Sequence, residues 1–173
     1  MLFRSGQLDQ ATHWLMRAVE LDPEHQAASV NLGVVLLESE RLGEASQMFQ
    51  AVLAADPNNI TVRSNLGNVF KEQQLYAAAE SEYRAVLEQD PDHVDTLNNL
   101  GALLSSMDRY AEAEDVLKRV VVSRPNLVEA RVNLGMTLGK DGRLPEALEQ
   151  FDSVLSRDEN CMRSEEHTSE LQS

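Results

Sequence analysis

Four prolines stand 34 residues apart in this chain, at Pro23, Pro57, Pro91 and Pro125. An Asn-Leu-Gly triplet follows each proline at the same distance. An internal period of about 20 to 50 residues indicates stacked structural units, because each unit can bury its apolar face only against its neighbours. The sequence therefore predicts a repeat array, an architecture that commonly serves binding.

One period, residues 60–93, shows how a unit is built. The stretch 61–73 places Leu66 and Val69 on one apolar helical face, and a polar break follows it. The stretch 78–88 forms a second such face. Proline at the end of the period cannot continue a helix and disfavours helical geometry in the residue before it. Two short helices joined by so few residues must pack antiparallel, so each unit is predicted to be a helical hairpin.

Small and large residues recur at fixed places in these hairpins. A glycine within a helix costs about 1 kcal/mol relative to alanine, so its recurrence requires a gain in packing. We expect the glycine of the first helix and an alanine of the second to let the two backbones approach closely. A larger residue follows one turn later in the second helix. The glycines are Gly33, Gly67, Gly101 and Gly135, the alanines Ala45, Ala79, Ala113 and Ala147, and the larger residues Phe49, Tyr83, Leu117 and Phe151.

These features resemble the tetratricopeptide repeat family: a 34-residue period, Leu-Gly in the first helix, small and aromatic residues in the second, and a closing proline. The resemblance implies an all-α tetratricopeptide-repeat solenoid, a right-handed superhelix of antiparallel helix pairs whose first helices line a concave groove. The family's frequent tryptophan in the first helix is absent. Its places are held by Ser29, Arg63, Leu97 and Arg131.

The repeats divide the chain as follows. Residues 6–25 are a partial repeat with only a second helix, residues 26–59, 60–93 and 94–127 are full repeats, and residues 128–161 are a fourth, with Glu159 where proline is expected.

Both ends, residues 1–5 and 163–173, resemble the translation of a sequencing-adapter oligonucleotide. We expect them to be artefacts flanking a piece of a longer protein. A native, disordered Ser/Glu-rich terminus is the alternative for the second end.

Composition limits the partners. The formal net charge of −14 argues against nucleic acid and anionic membrane surfaces, which would repel the chain. No apolar run is long enough for membrane insertion. A single cysteine, Cys161, allows neither an intrachain disulfide nor a thiol metal cluster, which is compatible with a reducing compartment. The localisation stays unknown from sequence, with the cytoplasm favoured.

One polar pattern exceeds what stacking requires. An asparagine occupies the same place in four first helices, and the family geometry turns that place toward the groove. We call this set the asparagine ladder. Side-chain amides both donate and accept, so they can pair with a peptide backbone without reading its side chains. The ladder resembles that of O-linked N-acetylglucosamine transferases. Its members are Asn31, Asn65, Asn99 and Asn133, and Asn68 and Asn98 are added as neighbouring candidates. The alternative is that these asparagines only bond neighbouring helices.

No catalytic constellation is found, and we expect no enzyme activity, no cofactor and no metal. The histidines at 25 and 93 are expected in solvated loops and Trp14 in packing. Basic residues of the first helices (Arg63, Lys71, Arg131, Lys140) are scattered, which disfavours a clamp for a C-terminal carboxylate.

The sequence thus predicts a non-catalytic protein–protein interaction scaffold that binds an extended peptide or partner segment. One alternative is the substrate-recognition arm of a larger glycosyltransferase-type enzyme. The other is a structural spacer, or end-to-end self-association through uncapped ends.

Overall fold

The computed structural model describes the backbone of residues 2–156 and side chains from Gly6 onward. Predictions that concern the side chains of residues 1–5, Glu159, Cys161 and the segment 163–173 lie outside this part. The described part is helical. Its elements are α1 (Leu2–Leu21), α2 (Gln26–Glu38), α3 (Leu42–Ala55), α4 (Ile60–Glu72), α5 (Tyr76–Gln89), α6 (Val94–Ser106), α7 (Tyr110–Ser123), α8 (Val128–Lys140) and α9 (144–156).

The described residues form two compact units, which divide between Thr96 and Leu97. In the first unit each helix packs on its neighbour in sequence, from α1 through α5, and α2 also touches α4. In the second unit α7 packs on α8. The pairs α2/α3 and α4/α5 match the predicted hairpins. No helix within residues 2–156 is long and apolar enough to cross a membrane.

The repeating glycines lie against the large residues of the second helix. A Cβ on Gly33 would lie 2.5 Å from the Phe49 ring, and one on Gly67 would lie 2.6 Å from the Tyr83 ring. Gly101 and Gly135 meet Leu117 and Phe151 in the same way. The bulky side chain occupies the volume that a Cβ would need, so the two positions form one packing unit. The alanines at 45, 79 and 113 are fully buried and the one at 147 is nearly so.

A left-handed residue ends the first helix of each repeat. Positive φ angles occur at Glu40, Gln74, Asp108 and Gly142, again 34 residues apart. The next amide reaches back to the helix in every case, as in the 2.9 Å bond from the Arg41 amide to the Leu36 carbonyl. This is the Schellman arrangement that satisfies carbonyls at a helix end. Only Gly142 makes this conformation predictable from the sequence, because a positive φ favours glycine. The other three residues adopt it although their residue types rarely do.

The first helix of three repeats begins with a side-chain cap. His25 Nδ1 accepts from the Ala28 amide, Asn59 Oδ1 from the Val62 amide, and His93 Nδ1 from the Thr96 amide. Capping of this kind stabilises a helix start by about 1 kcal/mol. Both histidines lie in the loop before the helix, where His25 is exposed and His93 half-buried, and each also caps the helix start.

The second unit contains an ion cluster between helices. Arg143 donates to Glu146 at 2.5 Å and to Glu114 at 2.6 Å, and Lys118 pairs with Glu114 at 2.7 Å. Glu114 belongs to α7, and its side chain is only 13% exposed. The hydrogen bonds from Arg143 and Lys118 lower the pKa of the Glu114 carboxyl. The cluster therefore fastens the start of α9 to the preceding helix pair.

Replacing Glu114 with glutamine should lower the free energy of unfolding by about 1 kcal/mol at neutral pH, because contacts between a neutral amide and charged groups replace ion pairs. The pKa of the Glu114 carboxyl in the folded chain lies below its unfolded value of about 4.3. The stabilisation by Glu114 is therefore fully present above that pH and is lost as the pH falls through the folded pKa. The difference in Tm between the two proteins should therefore shrink below about pH 4. Thermal unfolding at a series of pH values measures this. Glu149→Gln, on the exposed part of α9, is the control, and a difference that stayed constant with pH would contradict the assignment.

Candidate peptide-binding site

Asn31 and Asn65 occupy equivalent places on two first helices of the first unit. Asn31 lies on α2 and is exposed, and Asn65 lies on α4 and is half-buried. Neither side chain makes a hydrogen bond within the part of the chain that the structure describes. Each amide group therefore keeps its donors and acceptor for a ligand.

A depression of about 360 Å³ lies between these two helices. Asn31 forms part of its wall. Asn65 follows Thr61 by one helical turn, so it lies on the same face of α4. The lining mixes apolar surface with amide and hydroxyl groups, as ligand pockets commonly do. The residues around it are Gln26, Ala27, Val30, Asn31, Asn59, Thr61 and Val62.

The equivalent asparagines of the second unit are committed to the protein itself. Asn133 Nδ2 on α8 donates to Asn98 Oδ1 on α6 at 2.9 Å, and Asn98 is 4% exposed. This bond stands between helices of successive repeats. Asn99 also has an interaction in the structure. The four positions of the asparagine ladder thus differ: two have free amides, and two are engaged.

Asn68 serves its own hairpin. Its Oδ1 accepts from the Tyr83 hydroxyl at 2.6 Å, between α4 and α5. Tyr83 is fully buried, and this burial raises the pKa of its phenol. A buried hydroxyl needs a partner, so Asn68 satisfies a group that the other hairpins lack, with phenylalanine or leucine in that place.

The basic residues of the first helices are also engaged. Arg63 donates to Glu82 Oε2 at 2.8 Å and to the Pro57 carbonyl at 2.7 Å. Arg131 Nε donates to the Pro125 carbonyl at 3.3 Å. These bonds hold the guanidinium groups against the turn before the helix.

Sequence reasoning missed a buried polar network in the first unit. The Ser64 and Thr96 hydroxyls are 3.0 Å apart, and Thr96 also meets His93 Nδ1 at 2.9 Å. Ser64 and Thr96 come from first helices of successive repeats. Their places carry no recurring polar residue, so the 34-residue pattern gives no signal for them.

The structure overturns the prediction for Trp14. The side chain is 69% exposed and makes an edge-on contact with the His13 ring, with centroids 5.3 Å apart. Leu144, Leu148 and Leu155 on α9 are exposed as well. End-to-end association through such surfaces stays a prediction.

Metal chemistry finds no support in the part of the chain that is described. Among these residues, no three side chains of histidine, cysteine, aspartate or glutamate gather closely enough to hold an ion.

Helical hairpins that recur every 34 residues, with a glycine under each large side chain, define an α-helical repeat protein. Three family models described as tetratricopeptide repeat match residues 2–68, 59–121 and 103–160, so that together they span nearly the whole chain. The chain belongs to the tetratricopeptide-repeat family, and its fold is an all-α tetratricopeptide-repeat solenoid.

Solved structures are similar in fold. A crystal structure of MamA has a TM-score of 0.78 at 18% identity, covering 92% of this chain and 94% of that one. A MamA structure from AMB-1 has a TM-score of 0.75 at 25% identity, covering 91% and 93%. A tetratricopeptide repeat protein from Parabacteroides merdae ATCC 43184 has a TM-score of 0.75 at 23% identity, covering 90% of this chain and 62% of that one. No curated protein sequence matches the chain. The tetratricopeptide repeats support a protein–protein interaction scaffold.

Proposed function

We propose that the first unit binds an extended peptide segment of a partner protein across the shared face of α2 and α4. The observation that carries this proposal is the state of Asn31 and Asn65. Among the described residues 6–156, both amides lack hydrogen bonds, whereas Asn133, at the equivalent place in the second unit, is bonded to Asn98. Two uncommitted amides beside a depression of about 360 Å³ suit a ligand that offers backbone N–H and C=O groups.

The expected affinity is modest. A neutral hydrogen bond contributes about 1 kcal/mol net, and the peptide loses conformational freedom when it is ordered. The amides contact the backbone, so the sequence of the peptide matters little. Dissociation constants of about micromolar to millimolar follow from these contributions.

The test compares matched asparagine substitutions, with a peptide selected from a random display library as the probe. The double change Asn31→Ala and Asn65→Ala removes up to four hydrogen bonds and should weaken binding about 10- to 30-fold, corresponding to roughly 2 kcal/mol. Fluorescence anisotropy of the labelled peptide measures this. Asn133→Ala is the control at an equivalent place and should leave binding unchanged. Unaltered binding by the double variant would refute the proposal, as would equal losses in both variants.

The alternative role, substrate recognition within a larger glycosyltransferase-type enzyme, uses the same asparagines on the same face. The two roles differ in which domains accompany these repeats in the source gene. Sequencing of the source DNA across both ends would separate them: a catalytic domain in frame supports the enzyme arm, and further repeats support the scaffold.

A further inference from the structure

The four repeats differ at one place near the start of the first helix. Arginine occupies it in the second and fourth repeats and leucine in the third, where Leu97 is 2% exposed. The first repeat has Ser29, which is 7% exposed. A side chain that small leaves space. A cavity of about 380 Å³ lies beside Ser29, within the volume range of ligand pockets.

The second repeat shows what fills the corresponding space. Arg63 donates from one guanidinium nitrogen to the carbonyl of Pro57 at 2.7 Å, and from another to Glu82 at 2.8 Å. The aliphatic part of the Arg63 side chain extends from α4. Arg131 repeats the proline contact in the fourth repeat, where Nε lies 3.3 Å from the Pro125 carbonyl. A guanidinium held against the carbonyl of the preceding proline is therefore the built-in occupant of this place in two repeats.

In the first repeat only the proline acceptor is kept, because Met48 stands where Glu82 stands in the second repeat. Pro23 stands where Pro57 stands in the next repeat, and it lines the cavity. Among residues 6–156, no group donates a hydrogen bond to the Pro23 carbonyl or pairs with the Ser29 hydroxyl. The Pro23 carbonyl at this cavity is therefore an acceptor without a protein donor among these residues.

The remaining walls suit the rest of an arginine side chain. Ala51 and Ala55 of α3 supply small apolar surface, against which methylene groups can pack. Glu24 lies at the same cavity and offers a carboxylate. Since the chain carries a formal net charge of −14, a cationic group is also attracted at longer range.

We propose that the cavity beside Ser29 binds the side chain of an arginine from a partner protein. The guanidinium donates to the Pro23 carbonyl and the Glu24 carboxylate, and the stem lies on Ala51 and Ala55. This site is distinct from the peptide-binding face, with which it shares only Gln26 of its lining. The inference therefore stands whether or not Asn31 and Asn65 bind a peptide.

The direct test is titration of the isotope-labelled full chain with N-acetyl-argininamide, followed by amide chemical shifts. Saturable shifts should be confined to the surroundings of Ser29, Ala51 and Ala55, with a dissociation constant on the order of 1 to 10 mM for so small a probe. N-acetyl-lysinamide should bind at least about fivefold more weakly, because an ammonium lacks the planar fork of donors. Equal shifts with both probes, or none with arginine, would overturn the proposal.

Two substitutions exchange the residues that the first and second repeats carry at this place. Ser29→Arg supplies the occupant from within and should abolish the arginine shifts, while Ser29→Ala, which leaves the space open, should retain most of the binding. Arg63→Ser should open a second site, detected as new shifts at Ala85 and Gln89, which match Ala51 and Ala55 in the second repeat. If that variant fails to fold, the Ser29 pair still decides: binding that persists in a folded Ser29→Arg protein would contradict the assignment.

Discussion

Replacement of Tyr83 by alanine should lower the free energy of unfolding by about 3 to 5 kcal/mol, the usual cost of deleting a buried aromatic side chain. Tyr83 is fully buried between α4 and α5. Its ring covers Gly67, and its hydroxyl donates to Asn68 Oδ1 at 2.6 Å. The truncation leaves a cavity over a glycine that has no side chain to collapse into it. Urea unfolding followed by circular dichroism measures the loss.

Tyr83→Phe separates the ring from the hydroxyl. The first repeat already carries a phenylalanine at this place, Phe49, which is also fully buried. The ring therefore fits, and only the bond to Asn68 is lost, at about 1 kcal/mol. If Tyr83→Ala lowered the free energy of unfolding no more than Tyr83→Phe does, the ring would not be what holds the hairpin together.

Gly67→Ala should also destabilise the chain, although alanine is the better helix former. The added Cβ would lie 2.6 Å from Cε1 of the Tyr83 ring. That ring is fully buried and cannot swing aside, so the helices must shift, at about 1 to 3 kcal/mol. The gain in helix propensity offsets about 1 kcal/mol of this, and a net loss of up to about 2 kcal/mol is expected. Urea unfolding gives the value.

Gly43→Ala is the matched control in the same unit. Gly43 lies in the first turn of α3, and a Cβ there would have no other atom within 4 Å. The same chemical change should therefore be neutral or stabilising by up to about 1 kcal/mol. Equal effects at Gly43 and Gly67 would mean that propensity alone governs both positions. Effects of opposite sign would confirm that the close approach of Tyr83 requires glycine.

The asparagine ladder shows how far a sequence pattern reaches. The pattern placed equivalent amides on successive first helices, and the structure has Asn31, Asn65, Asn99 and Asn133 there. It could not tell which amides are free, because that depends on the neighbour one repeat away. The Asn98 side chain accepts a hydrogen bond from Asn133. The corresponding residue in the first repeat is Val30, whose side chain has no acceptor.

The turns and caps also contain features that the sequence does not predict. Gly142 marks a left-handed residue by its identity, but Glu40, Gln74 and Asp108 adopt the same conformation without any signal. Their geometry is imposed by the packing of the two helices that they join. His25 and His93 lie in loops, and their residue type gives no cap signal, yet each accepts a hydrogen bond from a helix amide.

By itself the sequence determined the helical hairpin, its 34-residue period, the family and the buried positions. These follow from short-range periodicity and from repetition, which are legible along the chain. Only the tertiary structure decided that glycine makes room for Tyr83 and its equivalents, that two asparagines are free and others engaged, and that Ser29 leaves a cavity. Each of these depends on side chains that lie far apart in sequence and meet only when the helices pack, and the volumes and hydrogen bonds of such meetings are not encoded in any local pattern.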